Sequence, residues 1–332
     1  MIYMKILLLT TGGTIASVET PEGLAPSLDN SLLDRIVKSN FADYDITIKS
    51  LFHLDSSNIQ PEEWQTIARS IAEEYPSYDG IVLTHGTDTM AYTASALSFM
   101  LRNIPIPVVL TGSQLPLSDP LTDGIDNLRF AFRMAASKRG GVFIAFNRKI
   151  ILGTRAVKTK TSTFDAFESV NYPIIASVTT KGFEIRDEYI PKTQGKFELV
   201  DGISDQVFLI KLTPGFRPDT LGHLAQLQYK GVIIEAFGAG GLHFVRRNLI
   251  AELKEMVRQG IIVVVSSQCL FEKSDFSVYQ VGRKTLEAGV IEARDMTTEA
   301  TVTKLMWVLA QTTDSAEVAR KFKTVYFGEM TI

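Results

Sequence analysis

A chain of 332 residues has room for about two domains, each able to bury its own core, and its single cysteine, Cys269, excludes an internal disulfide and suits a reducing compartment. The 34 basic and 37 acidic residues are interspersed and sum to a net charge of -3, so no basic stripe is available to neutralise a phosphate backbone, and nucleic acid is excluded as a partner. No apolar run approaches the roughly 18 to 20 residues that span a bilayer, so no membrane partner is expected.

The opening "MIYMKILLLTTGG" sets a short apolar stretch behind one lysine, with no small-residue cleavage site after it. It is expected to be the first strand, residues 5–10, of a mature cytoplasmic protein. Further strands are expected at 80–84, 107–111 and 141–146, all short, continuous runs of Ile, Val and Leu such as strands covered on both faces require. Helices separate them. In "PEEWQTIARSIAEEY" the residues Trp64, Ile67, Ala68, Ile71, Ala72 and Tyr75 fall on one helical face, with Pro61 and two Glu in the first turn. Another helix runs through "TMAYTASALSFM", and one from about Asp123 aligns Ile125, Leu128, Phe132 and Ala135. The alternation predicts an α/β fold: a large N-terminal domain, residues 1–185, around a doubly wound, mainly parallel sheet.

Regularity lapses over 177–205, which is polar and holds Gly and Pro, and residues 186–205 are taken as the interdomain linker. A smaller C-terminal α/β domain, 206–332, follows with strands at "VFLIKL", "GVIIEAFG" and "IIVVVSS" and a long amphipathic helix through "EATVTKLMWVLAQ".

In a parallel sheet ligands gather where the strands end. Here those places read Thr11-Gly12-Gly13-Thr14, Asp55-Ser56-Ser57, His85-Gly86-Thr87-Asp88-Thr89 and Ser113-Gln114. A dinucleotide turn needs three spaced glycines and a phosphate loop needs a lysine, whereas Gly12 and Gly13 are adjacent and no lysine follows them. Hydroxyls, one carboxylate and backbone amides suit a small zwitterion and an acyl transfer. Each residue also has a plain structural role open to it. Thr14, Ser57 and Asp88 are candidate helix caps, His85 a satisfied structural histidine, and Cys269 an inert core thiol. The four histidines are not spaced as metal ligands, and no metal or cofactor is expected.

The joint occurrence of "TTGGTIA" and "HGTDTMAYTA" resembles the L-asparaginase and glutaminase family, in particular its bacterial cytoplasmic, type I members. The resemblance extends along the chain through "VVLTGSQLP", "GTRAVKTKTSTFDAFESVNYP" and "DMTTEATVTKLMW". It implies an amidohydrolase for linear amides that converts L-asparagine to L-aspartate and ammonia, as a homodimer or dimer of dimers with sites completed at an interface. It implies Thr14 as nucleophile, with Thr87 and Lys158 as the pair that assists it. Asp88 would take the substrate's α-ammonium, and the turn Asp55-Ser56-Ser57 its α-carboxylate.

Two departures stand out. The family commonly has a tyrosine where this chain has Leu24, and the arginine of the asparagine effector site found in some cytoplasmic relatives aligns with Glu235. Ser267, Gln268, Cys269 and Glu299 occupy other positions of that effector site. Competing readings are the amidase-like subunit of a tRNA-dependent amidotransferase, whose extra N-terminal domain would precede the first strand, a catalytically silent amino-acid sensor, and a nucleotide-binding oxidoreductase.

Overall fold

The structure, a computed structural model, describes residues 3–21, 23–26, 31–277 and 280–331. It divides into two units, Met1–Asp201 and Gly202–Ile332. Among the described residues no helix is long and apolar enough to cross a membrane.

The first unit is organised around a sheet whose described strands run, in spatial order, Gly182–Ile185, Ala176–Thr179, Lys149–Leu152, Gly141–Phe146, Pro107–Thr111, Gly80–Thr84, Met4–Gly12 and Tyr44–Leu54. From Gly141–Phe146 to Tyr44–Leu54 every neighbouring pair is parallel; the remaining pairs are antiparallel. Ile6, Leu7, Leu8 and Leu9 are all buried, as a central strand with both faces covered demands, while the edge strand Tyr44–Leu54 alternates polar and apolar residues. The polar stretch after residue 176 adds two antiparallel strands to the other edge, and Glu198–Leu199 pairs with Leu101–Arg102.

Local chemistry explains the helices. Pro61 opens Pro61–Glu74, the Gln60 N–H donates to the Glu63 carboxylate at 2.8 Å, and Trp64, Ile67, Ala68 and Ile71 are buried. A 3-10 turn at Tyr75–Ser77 replaces the last predicted helical residue, because Pro76 cannot continue the ladder. Helix Met90–Met100 is buried on nearly all sides, so its hydroxyls turn inward to backbone acceptors, Ser95 to Gly153 O at 3.2 Å and Ser98 to Ala94 O at 2.7 Å.

In the second unit four described strands, Val207–Lys211, Gly231–Ala236, Ile262–Ser267 and Ile291–Glu292, lie in that order and all parallel. Val232, Ile234, Val263 and Val265 pack with Leu221, Leu224, Leu249 and Leu253 of the flanking helices. Helix Thr298–Leu309 is capped by the Thr297 hydroxyl, which accepts from Ala300 N at 3.0 Å, and it buries Leu305 and Trp307.

Candidate active site

Strand Met4–Gly12 lies between the strand that follows it in the large sheet, Tyr44–Leu54, and the one after that, Gly80–Thr84. The winding therefore reverses between Met4–Gly12 and Gly80–Thr84, and the crevice beyond their carboxyl ends is the topological switch point where open α/β sheets bind ligands. Thr14 follows one of these strands. Thr87 and Asp88 follow the other.

The adjacent glycines bring the turns together. Gly12 and Gly13 have φ of 102° and 80°, a region that favours glycine. A Cβ on Gly12 would lie 2.4 Å from Leu54 O, and one on Gly13 would lie 2.4 Å from Gly86 N. A Cβ on Gly86 would in turn lie 2.7 Å from the Ser56 side chain. Three turns, 12–14, 54–57 and 85–88, thus pack backbone on backbone at the switch point, tied by Gly13 N donating to Leu54 O at 3.0 Å. Each glycine of the pair serves a different neighbour, so neither has room for a side chain.

Around this junction stand the residues expected from the sequence. Thr14 is half-buried and begins the 3-10 turn Thr14–Ala16. Thr87 is buried, and Lys158 Nζ donates to its hydroxyl at 2.8 Å and to Asp88 Oδ1 at 2.6 Å. Lys160, two residues on, bonds Asp165 instead, at 3.1 Å. Ser56 is buried and accepts from Asp88 N at 3.2 Å, and its carbonyl accepts from the Thr89 hydroxyl at 2.7 Å, which locks the second turn to the third. Asp55 is exposed and accepts from both the backbone and the hydroxyl of Ser57, at 2.8 and 2.5 Å.

None of the three capping roles is realised. Gly13 occupies the cap position before Thr14, Gln60 the one before Pro61, and Thr89 the one before Met90, and Asp88 pairs with Lys158 instead. His85 is the structural histidine expected. It is fully buried, its ring nitrogens meet Gly86 O at 2.7 Å and the Thr93 hydroxyl at 2.9 Å, and burial pushes it down to about 4, so it stays neutral. Cys269 corrects an expectation: it lies beyond the end of Ile262–Ser267 and is exposed, not in the core.

Sequence reasoning passed over Gln114 and Asp123. The Gln114 amide donates to Thr161 O and Thr163 O, at 3.3 and 3.0 Å, and its Oε1 is 3.5 Å from the Thr87 hydroxyl. Asp123, foreseen only as a helix start, accepts from the backbone of Gln114 and Leu115 and from Asn127 Nδ2. Gln114 stood among the residues that follow strands, which was the available signal; nothing in the spacing connects it with 161–163.

Residues 5–191 match the family described as Asparaginase, N-terminal, and residues 206–322 the Glutaminase/Asparaginase C-terminal domain. The chain belongs to the asparaginase family. It is 45% identical over 330 residues to the L-asparaginase of Thermococcus kodakarensis, covering 99% of both chains, and the solved structure of the thermostable L-asparaginase from that organism matches with a TM-score of 0.93 at 44% identity over 99% of each chain. L-asparaginase I from Vibrio cholerae matches with a TM-score of 0.89 at 33% identity, covering 100% of both chains. A glutamyl-tRNA(Gln) amidotransferase subunit of Pyrococcus furiosus is 38% identical over 338 residues, 98% of this chain and 76% of that protein. The 45% identity to the Thermococcus kodakarensis L-asparaginase exceeds the 38% to the amidotransferase subunit. As for the departures from the family, the backbone of Leu24 pairs with Glu19 in the hairpin after the first motif, and its side chain lies outside the described residues.

Proposed function

We propose that this asparaginase-family chain hydrolyses L-asparagine to L-aspartate and ammonia, with Thr14 as the nucleophile. The observation that carries the reading is the Lys158–Thr87 hydrogen bond of 2.8 Å, standing one residue beyond the glycine contact that sets the two motifs against each other. A threonine hydroxyl is a weak nucleophile at its own pKa and needs an assembled base beside it. Lys158, acting through Thr87, is that base, and it receives the proton as Thr14 Oγ1 adds to the carboxamide carbon. Backbone amides at the junction stabilise the oxyanion, the proton held by Lys158 passes to the amide nitrogen so that the C–N bond breaks and ammonia departs, and water, giving up a proton to the same base, cleaves the resulting β-aspartyl ester and returns the Thr14 hydroxyl.

Asp88 and the Asp55–Ser57 turn hold the two charged ends of the substrate. Asp88 already carries one cation, Lys158, and its carboxylate is largely exposed, so a second ammonium has access to it. Ser56 receives its hydrogen bond from Asp88 N, which leaves its hydroxyl proton to donate to a carboxylate. Self-association as a homodimer or dimer of dimers and a cytoplasmic location follow from the family resemblance.

Ammonia release from L-asparagine, L-glutamine and D-asparagine by the purified chain tests the reading. Turnover of L-asparagine is expected. Saturable asparagine binding without ammonia would overturn it and favour an amino-acid sensor.

A further inference from the structure

In the assigned site Lys158 donates a hydrogen to Thr87 Oγ1, so the hydroxyl proton of Thr87 must find a different acceptor. The nearest candidate is the side chain of Gln114. Its amide nitrogen is committed to two carbonyls, Thr161 O and Thr163 O, which fixes which way the amide faces and turns Oε1 toward Thr87 at 3.5 Å, the long end of a hydrogen bond.

Those two carbonyls lie in the exposed tip of the hairpin formed by Ala156–Lys158 and Phe167–Ser169, whose first strand ends on Lys158. Gln114 therefore touches both members of the Lys158–Thr87 pair's surroundings, the hydroxyl directly and the lysine through the hairpin.

Gln114 is itself held. Its N–H donates to the Asp123 carboxylate at 2.9 Å, and Asn127, buried to 1% exposure, donates to the same carboxylate and to Gly112 O, both at 2.9 Å. Asn127 also accepts from Asn147 N at 2.9 Å, and Asn147 donates to Asp165 at the far side of the hairpin tip, again at 2.9 Å. Asp165 is bound by Lys149 at 2.7 Å and Lys160 at 3.1 Å. The hairpin is gripped at two points by one connected network.

We infer that Gln114 is a positioning residue of the proposed reaction: it holds the hairpin so that Lys158 faces Thr87, and it sets where the Thr87 proton points. The inference rests on the site reading above. With Lys158 protonated, the proton order runs from lysine to Thr87 to Gln114. Once Lys158 is neutral, the Thr87 hydroxyl turns from Gln114 and donates to the amine. Gln114 thereby favours the protonated lysine and tunes the pH at which the base becomes available.

Among the described residues, the other charged groups facing this unit are Asp88 on Lys158, Asp123 behind Gln114, Lys160, Asp165 and Glu168 on the hairpin, and Lys149 against Asp165 and Glu168. None of them differs between the variants used as a test.

Gln114→Leu removes the acceptor, and Gln114→Glu replaces it with a negative charge. In ammonia-release assays across pH, the leucine variant should lose roughly 10- to 100-fold in kcat with KM within about threefold of the parent, as expected for an orienting contact. The acid limb of its kcat profile should move to lower pH, and that of the glutamate variant to higher pH, since a nearby negative charge favours the ammonium. A merely structural residue would not move the limb in opposite directions. Hydrogen exchange over 159–166 should be faster in both.

Should either variant fail to fold, Gln114→Asn, which keeps the amide but falls one methylene short, is expected to shift the limb as leucine does. Limbs unmoved in folded variants overturn the inference. If Thr14→Ala, Thr87→Ala and Lys158→Met also remain active, the failure belongs to the site assignment instead.

Discussion

Gly13→Ala probes the backbone junction on which the site depends. Gly13 has φ 80° and ψ 176°, a region essentially confined to glycine, and holding alanine there costs about 1–3 kcal/mol. The new Cβ would also stand 2.4 Å from Gly86 N and 2.6 Å from Gly86 Cα. Both are backbone atoms of a packed turn, and relieving such overpacking costs about 1–3 kcal/mol more. The combined loss, roughly 2–6 kcal/mol, corresponds to a fall in melting temperature of about 5–20 °C for a unit of this size. Relief requires the turn 85–88 to retreat by about 1 Å, which carries Thr87 away from Thr14, and a misplacement of that size costs on the order of 100-fold in rate. Gly182→Ala is the control. Its φ is 108° with nothing within 4 Å of a Cβ, so it suffers backbone strain alone, about 1–3 kcal/mol, and should retain full specific activity. Thermal unfolding followed by circular dichroism, with ammonia release on the same samples, measures both effects. A Gly13→Ala enzyme within threefold of the parent in kcat/KM, or equal activity losses in the two variants, would refute the account.

Thr14→Ala should lose on the order of 10⁴-fold or more in kcat with an unchanged melting temperature, and adding Thr87→Ala or Lys158→Met should cost little further, because members of one catalytic unit are not additive. Asp88→Asn should erode the preference for asparagine over an analogue that lacks the α-amino group; undiminished discrimination would remove Asp88 from its assigned role. Glutamine, with both charged ends anchored, overshoots Thr14 by one methylene, so kcat/KM for asparagine should exceed that for glutamine by at least roughly 100-fold. Burial, with the nearby Glu235, pushes Glu299 up to about 7, so its contribution to stability is intact below about 4.5 and is lost as pH rises through about 7. Glu299→Gln should therefore leave the melting temperature nearly unchanged at pH 4 and raise it at pH 8.5, by the equivalent of about 3 kcal/mol; equal shifts at both pH values would contradict the buried charge.

What the sequence made legible was whatever a local pattern encodes. Continuous apolar runs marked the buried parallel strands and helical spacing marked Trp64 to Ile71 as a core face, whereas the place where the winding reverses, beside Met4–Gly12, is a matter of strand order that alternation leaves open. The roles proposed for Thr14, Thr87, Asp88 and Lys158 come from the family resemblance carried by long motifs. The capping roles weighed for Thr14, Ser57 and Asp88 were sound as propensities but lost to other partners: Gly86, distant in sequence, fixes the turn that holds Thr14, the local turn residue Asp55 takes the Ser57 hydroxyl, and Lys158, again distant, takes Asp88. Cys269 looked buried because an apolar strand precedes it, yet the chain leaves the sheet two residues earlier. The Gln114 network was out of reach for a different reason. It joins residues 47 and 49 positions apart through a side-chain amide and two backbone carbonyls, and a bond to a carbonyl leaves no mark on the identity of the acceptor residue.

The second unit bears on whether asparagine regulates this enzyme as well as feeding it. At the position where the family resemblance aligns an effector-site arginine, Glu235 is buried near the end of strand Gly231–Ala236 and accepts from the Thr298 hydroxyl. Glu299 lies near enough to feel its charge. Of the neighbouring polar groups, Ser267 donates to Gly238 O at 2.6 Å and the Gln268 amide donates to Leu212 O and Glu235 O at 2.7 and 2.9 Å, whereas Ser266 Oγ, in register with Glu235, and Glu299 Oε2 are buried without a hydrogen-bond partner. A carboxylate brought within about 5 Å of a second carboxylate meets repulsion of roughly 3 kcal/mol at an effective dielectric of 20, before any cost of leaving water. The same place offers a protonated amine attraction of similar size. With Glu235 where the resemblance aligns an arginine, the position prefers a cation to an anion, so an effector site that relied on a positive charge there would not be inherited in that form.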